Sequence, residues 1–378
     1  MDRQCCPICE SKDVEKYFYR DFNGAGEIAP FKLYDICECK SCGMIYAGNI
    51  VLGMGLEKYY KVMSKYEGDN YRDSLFEWQR YEKEVSFLYP SLDKNFRILD
   101  VGCASGGLLF ALKEKGFFNL MGLEPSLKNV EFAKKKYGLN VYEGVLDNRF
   151  HEIEKKGFDL IILNNVLEHI FSIDEIIVEC IDFLNECGLM YIEVPDVNQF
   201  WQTPDLYQQF SFEHINFFDK FSLTNLMIKF SFKLLRYEEK NGQLSSLWIR
   251  NHEIIPEHKS RESGIKKYLT CCRELADKVK RILENIENEC IYIWGAGTHT
   301  AMLYQLGFLN NIKINGIIDS NLNYKGKLIY GYHILSPLEI RDRQCPILIS
   351  SQNSQGEIEK DIKNKYQLIN PIIKLYEE

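Results

Sequence analysis

The stretch Phe96-Arg-Ile-Leu-Asp-Val-Gly-Cys-Ala-Ser-Gly-Gly-Leu-Leu-Phe110 decides the fold of this chain. An apolar run ends at Asp100, Gly102 and Gly106 bracket a tight turn, and an apolar-periodic helix pattern follows at once. A strand, a glycine turn and a helix N-terminus in this order form a site for a polar, nucleotide-like ligand, because only glycine lets the backbone come so close. The stretch therefore predicts the first strand and helix of an α/β domain.

Asp100 indicates the charge of that ligand. A carboxylate at the end of the strand repels a pyrophosphate and attracts an ammonium group, such as the amino end of S-adenosylmethionine (SAM). We therefore expect SAM as the cofactor. The candidate contacts in this turn are Asp100, Gly102, Cys103 and Gly106.

Composition limits the class of protein. The chain has 378 residues, enough for two or three domains, and its formal net charge of −8 disfavours a nucleic-acid partner. The first residues lack the apolar core of a signal peptide, and no later segment approaches the roughly 18 uninterrupted apolar residues of a membrane helix. We expect a cytoplasmic protein without a membrane partner, present as a monomer or small homo-oligomer.

Two CxxC pairs lie near the start of the chain: Cys6, Cys9, Cys39 and Cys42. Each pair offers two thiolates at one tight turn, and two such turns complete a tetrahedral shell around Zn²⁺. Cys5 and Cys37 lie next to the pairs, but the spacing favours the four named first. Because four cysteines leave no open position for substrate, the metal would be structural. The alternative is a small β-hairpin module with reduced cysteines.

Residues 51–94 have a helical pattern and are rich in tyrosine. Most of these tyrosines should be half-buried packing residues. Tyr66 and Tyr71 are candidate substrate contacts, because one or two tyrosines of this segment could reach a neighbouring cleft.

The strands that follow carry polar residues at their ends. Leu120–Glu124 is the second strand, and a carboxylate at its tip is placed to accept both hydroxyls of a ribose, so Glu124 is the expected ribose ligand. Asn140–Tyr142 is the third strand, and Asp147 after it is a candidate adenine contact. The ordinary alternative for Asp147 is a solvated loop residue.

A continuous apolar run, Phe158–Leu163, predicts a buried parallel strand that ends in Asn164-Asn-Val-Leu-Glu-His169. Ligands of open α/β sheets bind at the carboxyl ends of the strands. Asn164, Asn165 and His169 are therefore site candidates. Gly188–Pro195 is the next predicted strand.

Glu213 and His214 lie inside the aromatic run Gln209-Phe-Ser-Phe-Glu-His-Ile-Asn-Phe-Phe218. Polar side chains walled by aromatic rings are partly desolvated, which adjusts their pKa for proton transfer near neutrality. The alternative is a core histidine with a capping glutamate.

Residues Lys259–Glu289 show apolar residues every three or four positions, which predicts one long amphipathic helix at a domain boundary. A second strand, glycine turn and helix follow, with Gly295 and Gly297 in the turn and Asp319 at the end of the next strand. Thr300 replaces the third glycine of a dinucleotide fingerprint, so we expect a Rossmann-like half without a nicotinamide. Gly295, Gly297 and Asp319 are candidate substrate contacts, and a purely structural turn is the alternative.

Five segments result from these patterns: a zinc-binding module (1–50), a Tyr-rich helical connector (51–94), a SAM-binding domain with a doubly wound sheet (95–250), a long linker helix (251–289) and a Rossmann-like α/β domain (290–378).

The turn at Asp100–Gly106, Glu124 and the Asn-Asn-Val-Leu-Glu-His turn resemble class I SAM-dependent methyltransferases. Over nearly its full length the chain resembles one subgroup, the sugar C-methyltransferases. The resemblance implies methylation at C3 of a nucleotide-linked 4-keto deoxysugar. It implies that His214 removes the proton beside the ketone, with Glu213 and His169 as further active-site residues.

Two positions depart from the family pattern. The family has a tyrosine where this chain has Ser211, and a His-Gly-Gly turn where it has Asn241-Gly-Gln243. Ser211 and Asn241 are nevertheless candidate substrate contacts. The departures leave the sugar and the accepting atom open.

The residue types fit base-catalysed methyl transfer, because a carbon acid beside a ketone can supply an enolate nucleophile. A sugar O-methyltransferase would use the same base. A zinc-ribbon RNA methyltransferase and a non-catalytic sugar-nucleotide binding protein are the alternatives of other classes.

Overall fold

The computed structural model describes residues 3–52, 59, 75–147, 150, 157–251, 263–287 and 289–376, and its strands form three sheets. The strands of the first half are β1 (Val14–Asp21), β2 (Phe31–Cys39), β3 (Ile45–Leu52), β4 (Ile98–Val101), β5 (Leu120–Glu124), β6 (Val141–Glu143), β7 (Phe158–Asn164) and β8 (Leu184–Pro195). Those of the second half are β9 (Asn216–Phe217), β10 (Phe232–Lys240), β11 (Gln243–Arg250), β12 (Cys290–Trp294), β13 (Lys313–Ile318), β14 (Leu328–Ile329), β15 (Tyr332–Leu335), β16 (Ile347–Ile349) and β17 (Ile372–Ile373).

Helices cover these sheets. They are α1 (Leu75–Leu88), α2 (Gly107–Glu114), α3 (Leu127–Tyr137), α4 (Ile173–Phe183), α5 (Lys220–Lys229), α6 (Ile265–Glu284), α7 (Thr298–Gln305) and α8 (Gln355–Lys360). No helix in the described ranges is long and apolar enough to cross a membrane.

The central sheet has the strand order β10-β11-β8-β7-β4-β5-β6. Strands β4 to β8 are parallel, and only β10 and β11 run antiparallel to their neighbours. The chain leaves β4 towards β5 on one side and later returns to β7 on the other, so the carboxyl ends of β4 and β7 flank a topological switch point, where such sheets bind ligands. This doubly wound sheet with an antiparallel edge confirms the predicted class I methyltransferase fold.

Two glycines and a helix cap explain how the chain forms α2 after β4 and α3 after β5. Gly106 precedes α2 at φ +81°, and a Cβ on Gly107 would lie 2.2 Å from the ring of Tyr81 on α1. The glycines thus let the turn form and let α1 pack against α2. Ser126 caps α3 by accepting a hydrogen bond from the backbone N–H of Asn129.

The N-terminal sheet has the order β1-β2-β3-β9, all antiparallel. Its fourth strand comes from far along the chain, since Ile45 pairs with Phe217 and Tyr46 with Asn216. The expectation of a module confined to residues 1–50 therefore needs correction. The module is joined to the segment immediately after His214, because strand pairing completes the edge of β3.

The C-terminal sheet has the order β14-β15-β13-β12-β16-β17 and is parallel apart from β14. The predicted linker helix ends at Glu284 instead of Glu289. It is not a separate linker, because Tyr268 packs edge-on against Phe200 and Phe210 at 5.5 Å. One apolar core joins α6 to the N-terminal and C-terminal sheets.

Candidate active site

A cavity of about 930 Å³ lies at the carboxyl edge of the central sheet. Its lining includes the ends of β4, β5, β7 and β8 and the turn between β10 and β11. Ten of the residues selected from sequence line it: Asp100, Gly102, Cys103, Glu124, Asp147, Asn164, Asn165, His169, His214 and Asn241.

The glycine turn forms one wall of the cavity. Gly102 has φ +75°, and a Cβ there would lie 2.9 Å from Cγ2 of Val166. Gly106 is outside the lining; it has φ +81°, and a Cβ there would lie 2.7 Å from Cδ1 of Leu139. Gly102 therefore allows close approach to a ligand, whereas Gly106 serves the turn and its packing.

Asp100 is a buried carboxylate facing this turn. It is 2% exposed, and its Oδ1 accepts no hydrogen bond from the described residues. Burial, reinforced by the charge of Glu124, raises the pKa of Asp100 to about 7. A bound cation would relieve both the desolvation and the repulsion, so the site suits an ammonium group.

Glu124 is held in place by three donors. Its Oε2 accepts from the N–H of Ala104 at 3.0 Å, and its Oε1 accepts from Ser126 N at 3.0 Å and Asn129 Nδ2 at 3.2 Å. These donors fix the carboxylate at the carboxyl end of β5, where Glu124 lines the cavity. Its fixed orientation at the strand end suits a ribose.

Arg80 on α1 is the only arginine or lysine among the described lining residues. Its Nε lies 3.1 Å from Oε1 of Glu84, one helical turn away. Glu84 in turn accepts a hydrogen bond from Nδ2 of Asn164 at 2.9 Å. Arg80 could not be selected from the sequence, because an Arg and a Glu four residues apart in a helical pattern are common on helix surfaces.

Two histidines meet at the cavity wall. The rings of His169 and His214 are edge to face, with centroids 4.8 Å apart. Nδ1 of His169 lies 3.2 Å from the backbone oxygen of Glu213, so the imidazole donates Nδ1–H to that carbonyl and turns Nε2 the other way. Nε2 lies 3.8 Å from Oε1 of Glu168.

Glu168 completes this group. It is 1% exposed, and burial raises its pKa to about 8. One donor atom from each of Glu168, His169 and His214 lies within 4.8 Å of the others. Such a set can exchange protons or hold a divalent cation. His169 is a candidate from the sequence, whereas Glu168 beside it is identified only by the structure.

Glu213 lies behind the cavity wall and does not line it. It is 3% exposed, and its Oε1 accepts a hydrogen bond of 2.6 Å from the hydroxyl of Tyr59. Ser211 is also outside the lining, contrary to its expected role as a substrate contact. Its Oγ accepts from the N–H groups of Glu213 and His214, both at 3.2 Å, so Ser211 shapes the loop instead.

Uncharged residues line the part of the cavity where β8 meets the β10–β11 turn. They are Pro195, Gln199, Phe200, Thr203, Gln209, Asn241, Gly242 and Gln243. By contrast, acidic residues line the rest of the cavity: Asp100, Glu124, Asp147, Glu168, Glu175 and Glu179. The cavity therefore has an anionic part that suits a cationic ligand and a neutral polar part.

The C-terminal candidates do not line this cavity. Asp319 uses both carboxylate oxygens internally, accepting from the N–H groups of Ala296 and Asn321 at 2.8 Å. Gly295 has φ +115°, and a Cβ there would lie 2.9 Å from the backbone oxygen of Ser350, so it is needed for the turn itself. A Cβ on Gly297 would meet no atom within 4 Å. Tyr66 and Tyr71 lie outside the described residues.

The four cysteines of the CxxC pairs converge. Cys6 Sγ lies 3.5 Å from Cys42 Sγ, and Cys9 Sγ lies 3.5 Å from Cys39 Sγ. All four sulfur atoms lie within 4.8 Å of one another. A tetrahedral Zn²⁺ with Zn–S bonds of about 2.3 Å needs sulfur atoms roughly 3.8 Å apart. The donor set and its spacing fit this ion.

Comparison with known proteins gives two family matches. Residues 71–237 match the family described as Methyltransferase domain, and residues 287–370 match one described as C2185-like, N-terminal. A ubiquinone biosynthesis O-methyltransferase of Pelagibacter ubique (strain HTCC1062) is 35% identical over 122 residues, which are 30% of this chain and 50% of that protein. The chain thus spans about half the length of this curated relative.

Solved structures of low identity are also similar. A crystal structure of a protein from Pyrococcus horikoshii OT3 is 21% identical with a TM-score of 0.42, covering 52% of this chain and 100% of that chain. The magnesium protoporphyrin IX methyltransferase of Synechocystis PCC 6803, solved with S-adenosylhomocysteine (SAH), is 14% identical with a TM-score of 0.39, covering 46% of this chain and 84% of that chain.

The strand order of the central sheet and the family match agree. Residues 71–237 match a methyltransferase domain, and the described part of this range has the class I SAM-dependent methyltransferase fold.

Proposed function

We propose that this protein transfers the methyl group of SAM to C3 of a nucleotide-linked 4-keto deoxysugar. The observation that supports this most is the histidine pair, His169 and His214, beside a neutral polar part of the same cavity that contains Asp100 and Glu124. The amide and hydroxyl side chains there can bind hydroxyl and carbonyl groups of a sugar ring.

The donor would be bound through charge and hydrogen bonds. The ammonium group of SAM would pair with Asp100, its ribose with Glu124, and its carboxylate with Arg80. Asp147 would meet the adenine, and Asn164 and Asn165 would border the methionine part. Because SAM carries a sulfonium charge that SAH lacks, the acidic lining would also favour the donor over the product.

The proposed reaction proceeds through an enolate. A ring nitrogen of His214 takes the proton from the carbon beside the ketone, and the electrons of the C–H bond form the enolate. Protonated His169 or a neighbouring donor stabilises the oxyanion. The enolate carbon then attacks the methyl carbon, the sulfur–methyl bond breaks, and its electrons remain on sulfur as the thioether of SAH.

Glu213 has a different role in this proposal from the one the sequence indicated. Its side chain bonds to Tyr59, and its backbone oxygen orients His169. We propose that Glu213 fixes the loop that carries His214 and orients the ring of His169. It is therefore a positioning residue.

A second candidate is O-methylation of a sugar hydroxyl, with His214 as the same base. The names of the curated relatives, ubiquinone biosynthesis O-methyltransferases, favour oxygen as the accepting atom. The neutral amide lining favours a sugar over a ring with a long apolar chain.

We further propose one structural Zn²⁺, held by Cys6, Cys9, Cys39 and Cys42. Their sulfur spacing and the pairing of β3 with β9 support a metal that stabilises the sheet next to the catalytic loop.

Incubation with SAM and a panel of UDP- and dTDP-linked sugars, both 4-keto-6-deoxy and ordinary, tests the substrate class. We expect a mass gain of one methyl group on a 4-keto sugar, with its position assigned by NMR. A methyl ether would select O-methylation. SAM binding without methylation of any sugar nucleotide would reject the proposed substrate class and leave the non-catalytic alternative.

A further inference from the structure

The turn between β10 and β11 brings Gln243 to the edge of the cavity. Asn241 and Gly242 have φ +54° and +78°, the left-handed values of a tight hairpin turn. Gln243 then begins β11 and pairs with Pro195, the last residue of β8. The register therefore fixes Gln243 at the carboxyl edge of the sheet, where it lines the cavity.

The side chains of the neighbouring Gln199 and Gln209 form hydrogen bonds with other groups of the protein. Gln199 Oε1 accepts from the N–H of Gly242 at 3.2 Å, and its Nε2 donates to Asp196 Oδ2 at 2.8 Å. Nε2 of Gln209 donates to Oδ2 of Asp205 at 3.1 Å. These amides hold the turn and the loop in place.

Gln243 differs from them. Its side-chain oxygen is buried and accepts no hydrogen bond from the described residues. A buried carbonyl oxygen without a donor is costly, and in folded proteins such groups are almost always satisfied. The backbone on both sides is fixed by strand pairing, so the side chain cannot find a donor by moving the strand. Because Gln243 lines the cavity, a donor group of a bound ligand can supply this hydrogen bond after a small rotation of the side chain.

We propose that Oε1 of Gln243 accepts a hydrogen bond from a hydroxyl of the methyl acceptor. This inference rests on the proposed function for the kind of acceptor, a sugar ring held beside His214. The donor is a hydroxyl and not an ammonium group, because the adjoining lining is neutral and the acidic residues line other parts of the cavity. Gln243 thus determines which hydroxyl pattern the site accepts.

Two substitutions of similar size separate the hydrogen bond from packing. Gln243→Met removes the acceptor oxygen, whereas Gln243→Glu keeps it. With the sugar nucleotide that the panel identifies, we expect Gln243→Met to raise KM at least tenfold, with the SAM dissociation constant unchanged in calorimetry. Gln243→Glu should stay within threefold of the parent. Gln344→Met, at an exposed glutamine of the C-terminal domain, is the matched control.

Substrate analogues identify the hydroxyl. For the deoxy analogue that lacks it, the parent protein and Gln243→Met should have equal KM values. An unchanged KM in Gln243→Met with every methylated sugar would overturn the proposal. Thermal unfolding of each variant separates this result from misfolding.

A crystal structure with SAH gives an answer that does not depend on turnover. We expect a cavity water or a bound sugar hydroxyl within hydrogen-bond distance of Oε1. A protein N–H or O–H on that oxygen would overturn the role of Gln243. Failure of the sugar panel alone would instead reject the proposed substrate class, so the two failures are distinguishable.

Discussion

The hydroxyl of Tyr59 donates a 2.6 Å hydrogen bond to Oε1 of Glu213, 154 residues later in the chain. Both side chains are buried, at 2% and 3% exposure. The bond ties the tyrosine-rich segment to the loop that carries His214. It also leaves the backbone oxygen of Glu213 facing Nδ1 of His169. One residue thereby links the connector to both histidines.

Tyr59→Phe tests this link. Removing a hydrogen bond to a buried carboxylate should lower the free energy of unfolding by about 1.5–3 kcal/mol. It should also lower kcat, because the loop is less well fixed, without changing the SAM dissociation constant. Urea unfolding and steady-state kinetics measure both effects. Tyr19→Phe, at a tyrosine that is 56% exposed, is the matched control and should leave both unchanged.

His214→Asn tests the proposed base. Loss of a general base should lower kcat by roughly 10²–10⁴-fold. SAM binding should change less than twofold, since the donor contacts lie on other strands. His333→Asn, at an exposed histidine of the C-terminal sheet, should retain full activity. Equal activity of His214→Asn and the parent protein would reject His214 as the base.

The central sheet was predictable because its signals are local. Apolar runs that end in Asp100, Glu124 and Asn164 are the ends of parallel strands, and these ends meet at one edge. The side chains at these strand ends are therefore close together in the fold because of the strand order alone. His169 is predictable for the same reason, because it follows the end of β7.

The rest of the site depends on contacts that no local pattern encodes. Ser211 was expected to contact substrate, but its hydroxyl accepts two backbone N–H groups of its own loop. The pairing of β3 with β9 crosses some 170 residues, as between Tyr46 and Asn216, so the zinc-binding module looked independent. Arg80 faces the cavity only because α1 packs against α2, which a helical period cannot reveal.

Asp100 predicts a pH dependence of SAM binding. Its pKa in the free protein is about 7, since burial and Glu124 disfavour the charged form. The ammonium group of SAM needs the carboxylate, so below pH 7 binding must first displace a proton. The apparent affinity should fall up to tenfold for each pH unit below 7 and level off above it.

Calorimetry from pH 5.5 to 8.5 measures this dependence. Asp100→Asn should bind SAM more weakly at pH 8, and its affinity should vary less across the range. The neutral amide keeps the size of the side chain but has no proton to lose. If the affinity of the parent protein for SAM did not change between pH 5.5 and 7, Asp100 could not be a carboxyl group with a raised pKa that binds the ammonium group.

The cysteine cluster predicts one zinc equivalent that stabilises the catalytic loop. Cys39 is the last residue of β2, next to β3, and β3 pairs with β9 directly after the loop. The carbonyl oxygen of Ile215, the residue after His214, accepts hydrogen bonds from the N–H of Ala47 at 2.8 Å and from the guanidinium of Arg3 at 3.1 Å. Loss of zinc should therefore lower stability and turnover together.

Cys39→Ser and Cys187→Ser form the matched pair for this prediction. The first removes a ligand, and the second changes an exposed cysteine outside the cluster. Metal analysis should give one zinc in Cys187→Ser and less in Cys39→Ser, whose melting temperature should fall by several degrees. Methyl transfer by this route needs no metal at the reacting atoms. A chelator should therefore inhibit methyl transfer only at the rate at which it removes this zinc, because loss of the zinc destabilises the fold. Rapid inhibition by a chelator while the cysteine-bound zinc is retained would instead indicate a cation at Glu168, His169 and His214, which form a second set of donors within 4.8 Å of one another among the described residues.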